Sequence, residues 1–163
     1  MKKKENPFII SIQNMPTSGI KISGKINLQD LEIKSEERIK IEDDLLYNLH
    51  LYSVDTTTIL LQGKLSTSIR CECDYCLEYF KHKIEIKEVC HMYENITDVI
   101  IDLTDDIRED ILIDFPQRHR CSENCKGLCQ CCGTNLNTDK CRCFDTTDEN
   151  NIWSSLDNLN LTD

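Results

Sequence analysis

The fold is decided by the segment that runs from Leu45 to Ile69, which reads LLYNLHLYSVDTTTILLQGKLSTSI. Apolar and polar residues alternate as far as Leu51, and the alternation returns from Leu65 onward. A period of two residues is typical of β-strands that bury one face. Residues 54–58 lie between the two runs and are mostly polar, as in a turn. The segment therefore predicts a hairpin of two long antiparallel strands.

Shorter runs of the same kind flank this hairpin. Residues 8–12 are rich in isoleucine and are followed by Asn14 and Pro16, which favour a turn. Isoleucines at even positions in 20–26 predict a second weak strand, and the alternation in 84–90 predicts a further strand. We therefore expect a mainly antiparallel β-sheet.

The hydrophobic period changes after the sheet. Leu103, Ile107 and Ile111 recur at helical spacing and predict a helix over about 103–114. Pro116 ends it, because the residue before a proline is pushed out of the α region. A short amphipathic terminal helix is predicted from Ile152, Trp153, Leu156 and Leu159.

Cysteine is the unusual feature of the composition. The chain has 163 residues and 11 cysteines, an odd number that cannot pair completely in disulfides. The apolar run near the N-terminus is shorter than the roughly 7 to 15 residues of a signal-peptide core, and no stretch approaches the roughly 18 that span a bilayer. We therefore expect a cytoplasmic protein without a membrane partner, in which clustered thiols serve first as metal ligands.

The C-terminal cysteines have the spacing of a zinc site. Cys129 and Cys132 are two residues apart and are followed by Gly133, which permits the tight turn of a zinc knuckle. Cys141 and Cys143 complete a set of four thiolates across a gap that contains turn-forming residues. These four cysteines predict one structural Zn²⁺.

A second zinc site requires cysteines from two parts of the chain. Cys73 and Cys76 are expected at a hairpin tip, and Cys121 with Cys125 would complete the set if the helix returns the chain there. Spacing alone leaves other pairings open, including one site shared by Cys73, Cys76, Cys129 and Cys132. Two four-cysteine sites use eight of the 11 cysteines and leave three without a role: Cys71, Cys90 and Cys131.

Catalytic motifs are weak in this sequence. Cys125, Cys129 and Cys132 have the spacing of the iron-sulfur triad of radical enzymes, but those enzymes use a barrel far larger than this chain. The histidines have no partner at a recognisable spacing, and His119, near Cys121, is at most an alternative metal ligand. We therefore expect no enzyme and no small-molecule substrate.

The charge is uneven along the chain. The net charge is −10, which opposes long-range attraction to nucleic acid. Residues 94–114 carry −7 and residues 145–163 carry −5, whereas residues 115–144, which hold most cysteines, carry +3. The cysteine-rich segment is thus the only clearly basic one.

Several motifs resemble the YceD family, the large ribosomal RNA subunit accumulation proteins of bacteria and plastids. Residues 73–80, CDYCLEYF, resemble that family's C-x-R-C-L-E-x-F element, although Tyr75 stands in place of the usual arginine. Residues 125–143, CKGLCQCCGTNLNTDKCRC, resemble its C-K-G-L-C-x-x-C-G-x-N-L-N-x3-C-x-C segment. The resemblance implies a noncatalytic bacterial factor for 23S rRNA accumulation and ribosome biogenesis, with large-subunit rRNA, a pre-ribosomal particle or a ribosomal protein as partner.

Taken together, the sequence predicts an α+β protein. Residues 1–116 would form the sheet domain with its helix, and residues 117–163 the cysteine-rich zinc module with the terminal helix. If the protein contacts RNA directly, we expect cations of the basic segment to do so, because lysine and arginine position phosphates. These cations are Arg118, Arg120, Lys126 and Arg142. The alternatives are an acidic chaperone of a basic ribosomal protein and a small iron-sulfur or redox protein.

Overall fold

The long hairpin predicted from the sequence lies at the centre of a five-stranded antiparallel sheet. The structure, a computed structural model, describes residues 6–143. The strands are β1 (Ile9–Ser11), β2 (Ile20–Ile26), β3 (Ile39–Ile41), β4 (Leu45–Ser53), β5 (Ile59–Glu72), β6 (Tyr79–Tyr93) and β7 (Ile100–Asp102). The main sheet has the order β2-β4-β5-β3, β6 also pairs with β5, and β1 pairs with β7 in a separate two-stranded sheet.

Strand β5 is the axis of the main sheet. It pairs with β4 from Leu46 opposite Ser66 to Ser53 opposite Ile59. On β6 its register runs from Ile59 opposite Tyr93 to Glu72 opposite Tyr79, with an irregularity at residues 63–65. The β5–β6 hairpin therefore extends beyond β4, and β3 pairs with its far part, from Ile39 opposite Cys71, next to the turn at residues 73–78.

One face of the sheet carries the core. Leu49, Leu51 and Leu61 are fully buried, as the alternating pattern requires, and they pack in one cluster with Leu28 and Ile107. Leu28 belongs to a short 3₁₀ helix, Leu28–Leu31, and Ile107 to the single α-helix, α1 (Thr104–Ile113). Both helices thus cover the same side of the sheet.

Helix α1 forms where the sequence predicted it. The Asp102 carboxylate accepts a hydrogen bond from the backbone N–H of Thr104 at 2.9 Å, and acidic residues occupy the first turn, where the helix dipole favours them. The side chains of His91 on β6 and Asp110 on α1 meet at 2.8 Å and fix the helix against the sheet.

The predicted antiparallel sheet and the helix that follows it are confirmed. The sequence did not predict β3, β7 or the 3₁₀ helix, and β6 begins earlier than expected. The predicted terminal helix with Trp153 lies outside the described residues. Within residues 6–143 no helix has the length and apolar character that crossing a membrane requires.

Candidate metal centres

Eight of the cysteines form two groups of four. In each group the four sulfur atoms all lie within 4.8 Å of one another. The first cluster is Cys73, Cys76, Cys121 and Cys125, and the second cluster is Cys129, Cys132, Cys141 and Cys143. The arrangement shared by Cys73, Cys76, Cys129 and Cys132, which the spacing left open, is not the one that the structure adopts.

The turn between β5 and β6 positions half of the first cluster. The N–H of Cys73 donates to the carbonyl of Glu78 at 2.9 Å, and the N–H of Leu77 donates to the carbonyl of Cys73 at 3.0 Å. Leu77 adopts a left-handed backbone conformation, with φ of 61°. This tight loop holds the sulfur atoms of Cys73 and Cys76 on the same side.

The segment after α1 supplies the other half of the first cluster. Asp74 holds that segment twice, because its N–H donates to the His119 carbonyl at 2.7 Å and its carboxylate accepts the His119 N–H at 2.8 Å. The Arg38 guanidinium pairs with the same carboxylate at 2.7 Å. The hairpin tip and residues 119–125 are therefore joined through Asp74 as well as through the cysteines.

Gly127 allows the cysteine-bearing segment 121–129 to approach the hairpin tip closely. The N–H of Leu128 donates to the Tyr75 carbonyl at 2.9 Å. Gly127, just before it, has φ of +72°, and a Cβ atom there would lie 3.0 Å from the Tyr75 carbonyl oxygen. The Arg120 guanidinium covers the Tyr75 ring at 4.9 Å. Any larger residue at position 127 would strain the backbone and crowd the Tyr75 carbonyl.

The sulfur separations of the first cluster match a tetrahedral metal site. The Cys73 and Cys125 sulfur atoms are 3.9 Å apart, and those of Cys76 and Cys121 are 3.7 Å apart. Four ligands at the usual zinc–sulfur distance of about 2.3 Å would lie about 3.8 Å from one another. A disulfide needs about 2.05 Å, so these cysteines are free thiols at ligand spacing.

The ionisation of the first cluster is divided unequally among its thiols. Burial works to raise the pKa of Cys73, but hydrogen bonds from the backbone N–H groups of Cys121, Tyr75 and Cys76 outweigh it and lower the pKa to about 6. Burial raises the pKa of Cys76 to about 12, and neighbouring thiols add to that rise. The pKa of Cys125 is also lowered, with the Asn137 side chain and the Gly127 N–H among the causes, and burial raises that of Cys121, so without a cation the four thiols do not ionise together. A bound dication would favour the fully ionised set.

The second cluster is built on a local turn. The N–H of Gly133 donates to the Cys129 carbonyl at 2.9 Å, and the N–H of Cys129 donates to the Thr134 carbonyl at 2.8 Å. Gly133 has φ of 72°, which explains the glycine that follows Cys132. The Cys141 sulfur lies 3.2 Å from that of Cys129 and 3.4 Å from that of Cys132. These contacts reproduce the knuckle expected from the sequence.

Hydrogen bonds and neighbouring thiols set the ionisation of the second cluster. The Thr134 hydroxyl, 3.1 Å from the Cys132 sulfur, is the main cause that lowers the pKa of Cys132 to about 6. The adjacent Cys141 thiol is the main cause that raises the pKa of Cys143 to about 12. Cys132 is exposed, unlike the members of the first cluster that lie on the hairpin. Its environment is therefore the more accessible of the two.

Asn137 joins the two clusters. Its side-chain amide donates to the Cys125 sulfur at 3.4 Å, and its side-chain oxygen accepts the Lys126 N–H at 2.8 Å. In the sequence Asn137 is one of the turn-forming residues in the gap between Cys132 and Cys141. An N–H···S contact orients a sulfur ligand and stabilises its charge, so Asn137 supports the first cluster from within the second.

The remaining cysteines lie outside both clusters. Cys71 is fully buried beside Ile39, Ile69 and Ile84, and burial raises the pKa of its thiol. Two others, Cys90 and Cys131, are exposed. His119 is not a member of either cluster. Its Nδ1 lies 3.8 Å from the Asp74 carboxylate, and its buried Nε2 has no hydrogen-bond partner among the described residues.

The cations considered for RNA contact are all exposed at the surface around the clusters: Arg118, Arg120, Lys126 and Arg142. Arg120 is held by the Tyr75 ring and donates to the Cys125 carbonyl at 3.4 Å. The ion pairs within residues 6–143 do not include the other three. These three charges are thus not neutralised by a carboxylate in this part of the chain.

The donor set fits a metal ion. Each cluster offers four sulfur ligands and no carboxylate or water position, which is the composition of closed zinc or iron-sulfur sites. Four protein ligands would fill a tetrahedral coordination sphere and leave no place for a substrate. The arrangement can therefore cross-link the chain, and it lacks the open position that catalytic metal sites keep.

Comparison with known proteins identifies one family. Residues 91–160 match the family model described as Large ribosomal RNA subunit accumulation protein YceD. The match includes the C-terminal cysteine motif, whereas the hairpin-tip motif at residues 73–80 lies before it. No curated protein matches the chain, and no solved structure does. Residues 91–160 are thus similar to the YceD family, the same family that the cysteine motifs resemble.

Proposed function

We propose that this chain is a noncatalytic factor for the accumulation of large-subunit 23S rRNA and acts during ribosome assembly in the bacterial cytoplasm. The family match over residues 91–160 is the observation that carries this proposal. The closed, all-cysteine composition of the two clusters agrees with a role without catalysis. Its partners would be pre-ribosomal RNA or a ribosomal protein bound to it.

Each cluster would hold one structural Zn²⁺. Cys73, Cys76, Cys121 and Cys125 would ligate the first ion, and Cys129, Cys132, Cys141 and Cys143 the second. Zinc, when bound, supplies a cross-link and neutralises thiolate charge. The first ion would tie the hairpin tip to the segment after α1. Anaerobic metal analysis tests this assignment, because a visible absorption band with iron in place of zinc would favour the iron-sulfur alternative.

The contact surface of this module would be its exposed cations. Arg118, Arg120, Lys126 and Arg142 lie next to the cysteines that would be fixed by zinc, so the metal would also fix their relative positions. With a net charge of −10, attraction to RNA must come from a short-range basic surface of this kind. A rigid surface loses less conformational entropy on binding than a flexible one.

The experiment uses cells whose own gene has been deleted and replaced by variants. A variant with all four cations changed to Ala should keep its zinc content and thermal transition but lower the 23S rRNA level. A control that changes the three arginines to Lys preserves charge and should restore the 23S level. Full restoration by the Ala variant would contradict the RNA-contact surface.

The acidic-chaperone alternative has one observation in its favour. The side chain of Asp105 on α1 is 86% exposed, and α1 belongs to the segment 94–114 that carries −7. Changing Asp105 and Glu109 to Asn and Gln would impair function only if a basic ribosomal protein docks there. Loss of function in this variant, together with full activity of the four-cation variant, would favour the alternative.

A further inference from the structure

The face of the main sheet opposite the core carries a groove lined by lysines. Residues directly opposite each other on antiparallel strands point to the same face. Asn48 pairs with Lys64, Leu46 pairs with Ser66, and Ser66 pairs with Glu85, so these side chains share one face. Leu46 is 55% exposed, whereas the core leucines of the same strand are fully buried. We call this surface the open face.

Two adjoining cavities make up the groove on the open face. The larger, of about 670 Å³, is lined on one side by Lys25, Lys81 and Lys83. The smaller, of about 290 Å³, is lined by Lys64, Lys87 and Glu85, among others. Leu46 and Ser66 line both cavities, so the two adjoin each other. Five lysines from the three strands β2, β5 and β6 therefore surround one depression.

Carboxylates neutralise only part of this charge. Lys81 pairs with Asp43 at 2.7 Å and Lys83 with Glu85 at 3.0 Å. Asp44 also lines the larger cavity. The other three lysines, Lys25, Lys64 and Lys87, are exposed and form no ion pair within residues 6–143. The groove is therefore positive although the chain is strongly acidic.

Glu85 shows how closely the amines of the smaller cavity lie to one another. The Lys83 side chain, by its hydrogen bond and charge, is the main cause that lowers the pKa of Glu85, and Lys87 and Lys64 lower it further. Three amino groups therefore act on one carboxylate. Such a concentration of positive charge is suited to an anion that carries several negative groups.

An aromatic pair lies on the same face beyond the groove. His50 and Tyr52 continue the outward-facing positions of β4, and their ring centroids are 5.3 Å apart. His50 Nε2 contacts the Ser18 carbonyl at 2.9 Å, and the Tyr52 hydroxyl donates to Gln62 at 2.8 Å, so the ring edges are fixed. At about 3.3 Å per strand residue, His50 lies roughly 13 Å along β4 from Leu46.

We propose that the open face binds single-stranded RNA, with the phosphates along the lysine groove and bases stacked on the His50–Tyr52 pair. The inference rests on the proposed function for the choice of RNA, and it names a surface separate from the cations of the metal module. A positive groove combined with aromatic side chains is the usual combination in proteins that bind single strands. An acidic protein segment would use the lysines but has no need of the aromatic pair.

The experiment compares charge variants of the zinc-loaded full chain with a labelled polyuridine of about 12 nucleotides, a length within common site sizes. The variant K25Q/K64Q/K87Q removes the three lysines that form no ion pair. Each contact with a single-strand phosphate contributes about 0.7 to the slope of log affinity against log salt. The variant should therefore reduce the slope by about 2 and weaken binding by up to about 100-fold near 0.1 M salt.

Single substitutions provide matched controls. Lys64→Gln should weaken binding about fivefold, whereas Lys34→Gln, at an exposed lysine that does not line the groove, should change it less than twofold. Glu85→Gln removes the carboxylate among the lysines and should tighten binding by up to about fivefold. Zinc content and circular dichroism would show that each variant is folded.

The outcomes separate this inference from its alternatives. Equal affinity and equal salt slope for parent and triple variant would overturn it, whatever the deletion strain shows. Displacement of RNA by polyglutamate at equal charge concentration, or by inorganic phosphate at low millimolar concentration, would assign the groove to acidic proteins or to small phosphates. Lysine-dependent RNA binding without any effect on 23S rRNA in cells would support the groove and contradict the proposed function.

Discussion

Removing one sulfur atom from the first cluster tests whether a zinc ion bound there supports the fold. The Cys76 sulfur lies 3.7 Å from that of Cys121, so Cys76→Ser removes a contact between the hairpin tip and the segment after α1. Binding of a structural zinc ion in small domains is worth about 10–16 kcal/mol, comparable to the whole stability of a typical domain, about 5–15 kcal/mol. Even partial loss of that energy should release the segment that the cluster holds.

Apart from the cysteines, this segment is held to the hairpin tip by a few hydrogen bonds, those of Asp74 and Leu128, and by little apolar burial. Within residues 117–143 the buried side chains of hydrophobic type are those of Cys125 and Cys129. The sheet has a separate core, in which Leu49 and Leu61 are fully buried. We therefore expect Cys76→Ser to unfold the segment around the first cluster while the sheet stays folded.

The assay combines metal analysis with amide hydrogen exchange. The parent should contain two zinc ions per chain and the variant one, and residues 119–128 should lose protection while β4 and β5 keep it. Cys90→Ser and Cys131→Ser make the same chemical change at exposed cysteines outside the clusters and should retain both ions. Two zinc ions with unchanged exchange in the Cys76 variant would refute this reasoning, and so would unfolding of the entire sheet.

Three further predictions concern individual contacts. Leu49→Ala, at a fully buried position, should lower the free energy of unfolding by about 2–5 kcal/mol in urea titration, whereas Leu112→Ala, at a position 46% exposed, should change it by less than about 0.5 kcal/mol. Gly127→Ala should destabilise the folded state by about 1–3 kcal/mol, because its φ of +72° strains an alanine, and the thermal midpoint should fall accordingly. Asn137→Ala removes the N–H···S bond to Cys125 and should weaken zinc at the first cluster about 10- to 100-fold in competition with a chelator, with no change at the second.

The sheet was predictable where its strands are long. The alternation in residues 45–69 predicted β4 and β5 because each strand buries every second side chain in one core. Strands β1 and β7 have three residues each and pair across the chain, with Ile9 opposite Asp102. Strand β1 was predicted because residues 8–12 are rich in isoleucine, whereas the three residues of β7 contain too little of the alternating pattern to reveal it, and the partner that stabilises β7 is about 90 positions away in the sequence.

The two cysteine clusters also differed in how well the sequence could predict them, and the shorter-range one was easier to predict. The second cluster lies within residues 129–143, so cysteine spacing and Gly133 were enough to predict its members. The first cluster combines ligands about 50 residues apart, and its formation depends on the direction in which α1 returns the chain. Asp74 and His119 make the contacts that settle this direction, and neither residue carries a signal for such a contact in the sequence.

The basic groove on the open face was not predicted from the sequence, because a sum of charges along the chain does not show which residues share a face. Residues 1–70 contain basic and acidic groups in nearly equal numbers, so a segment count finds no basic surface there. Strand pairing sorts the same residues by face. Lys64 on β5 and Lys25 on β2 come together on the open face with Lys87 near the β6 irregularity, and they line one groove.

The acidic helix α1 and the lysine groove lie on opposite sides of the main sheet. Ile107 and Ile111 of α1 are fully buried in the core, so the helix lies on the side of the sheet opposite the open face. Helix α1, which holds four of the eight acidic residues of segment 94–114, is therefore separated from the lysine groove by the thickness of the sheet. We therefore expect a polyanion to be repelled more strongly on the helix side than at the open face, which would favour approach to the groove. If the proposed RNA binding holds, the acidic excess of the chain, net −10, would oppose contact on the helix side more than contact in the groove.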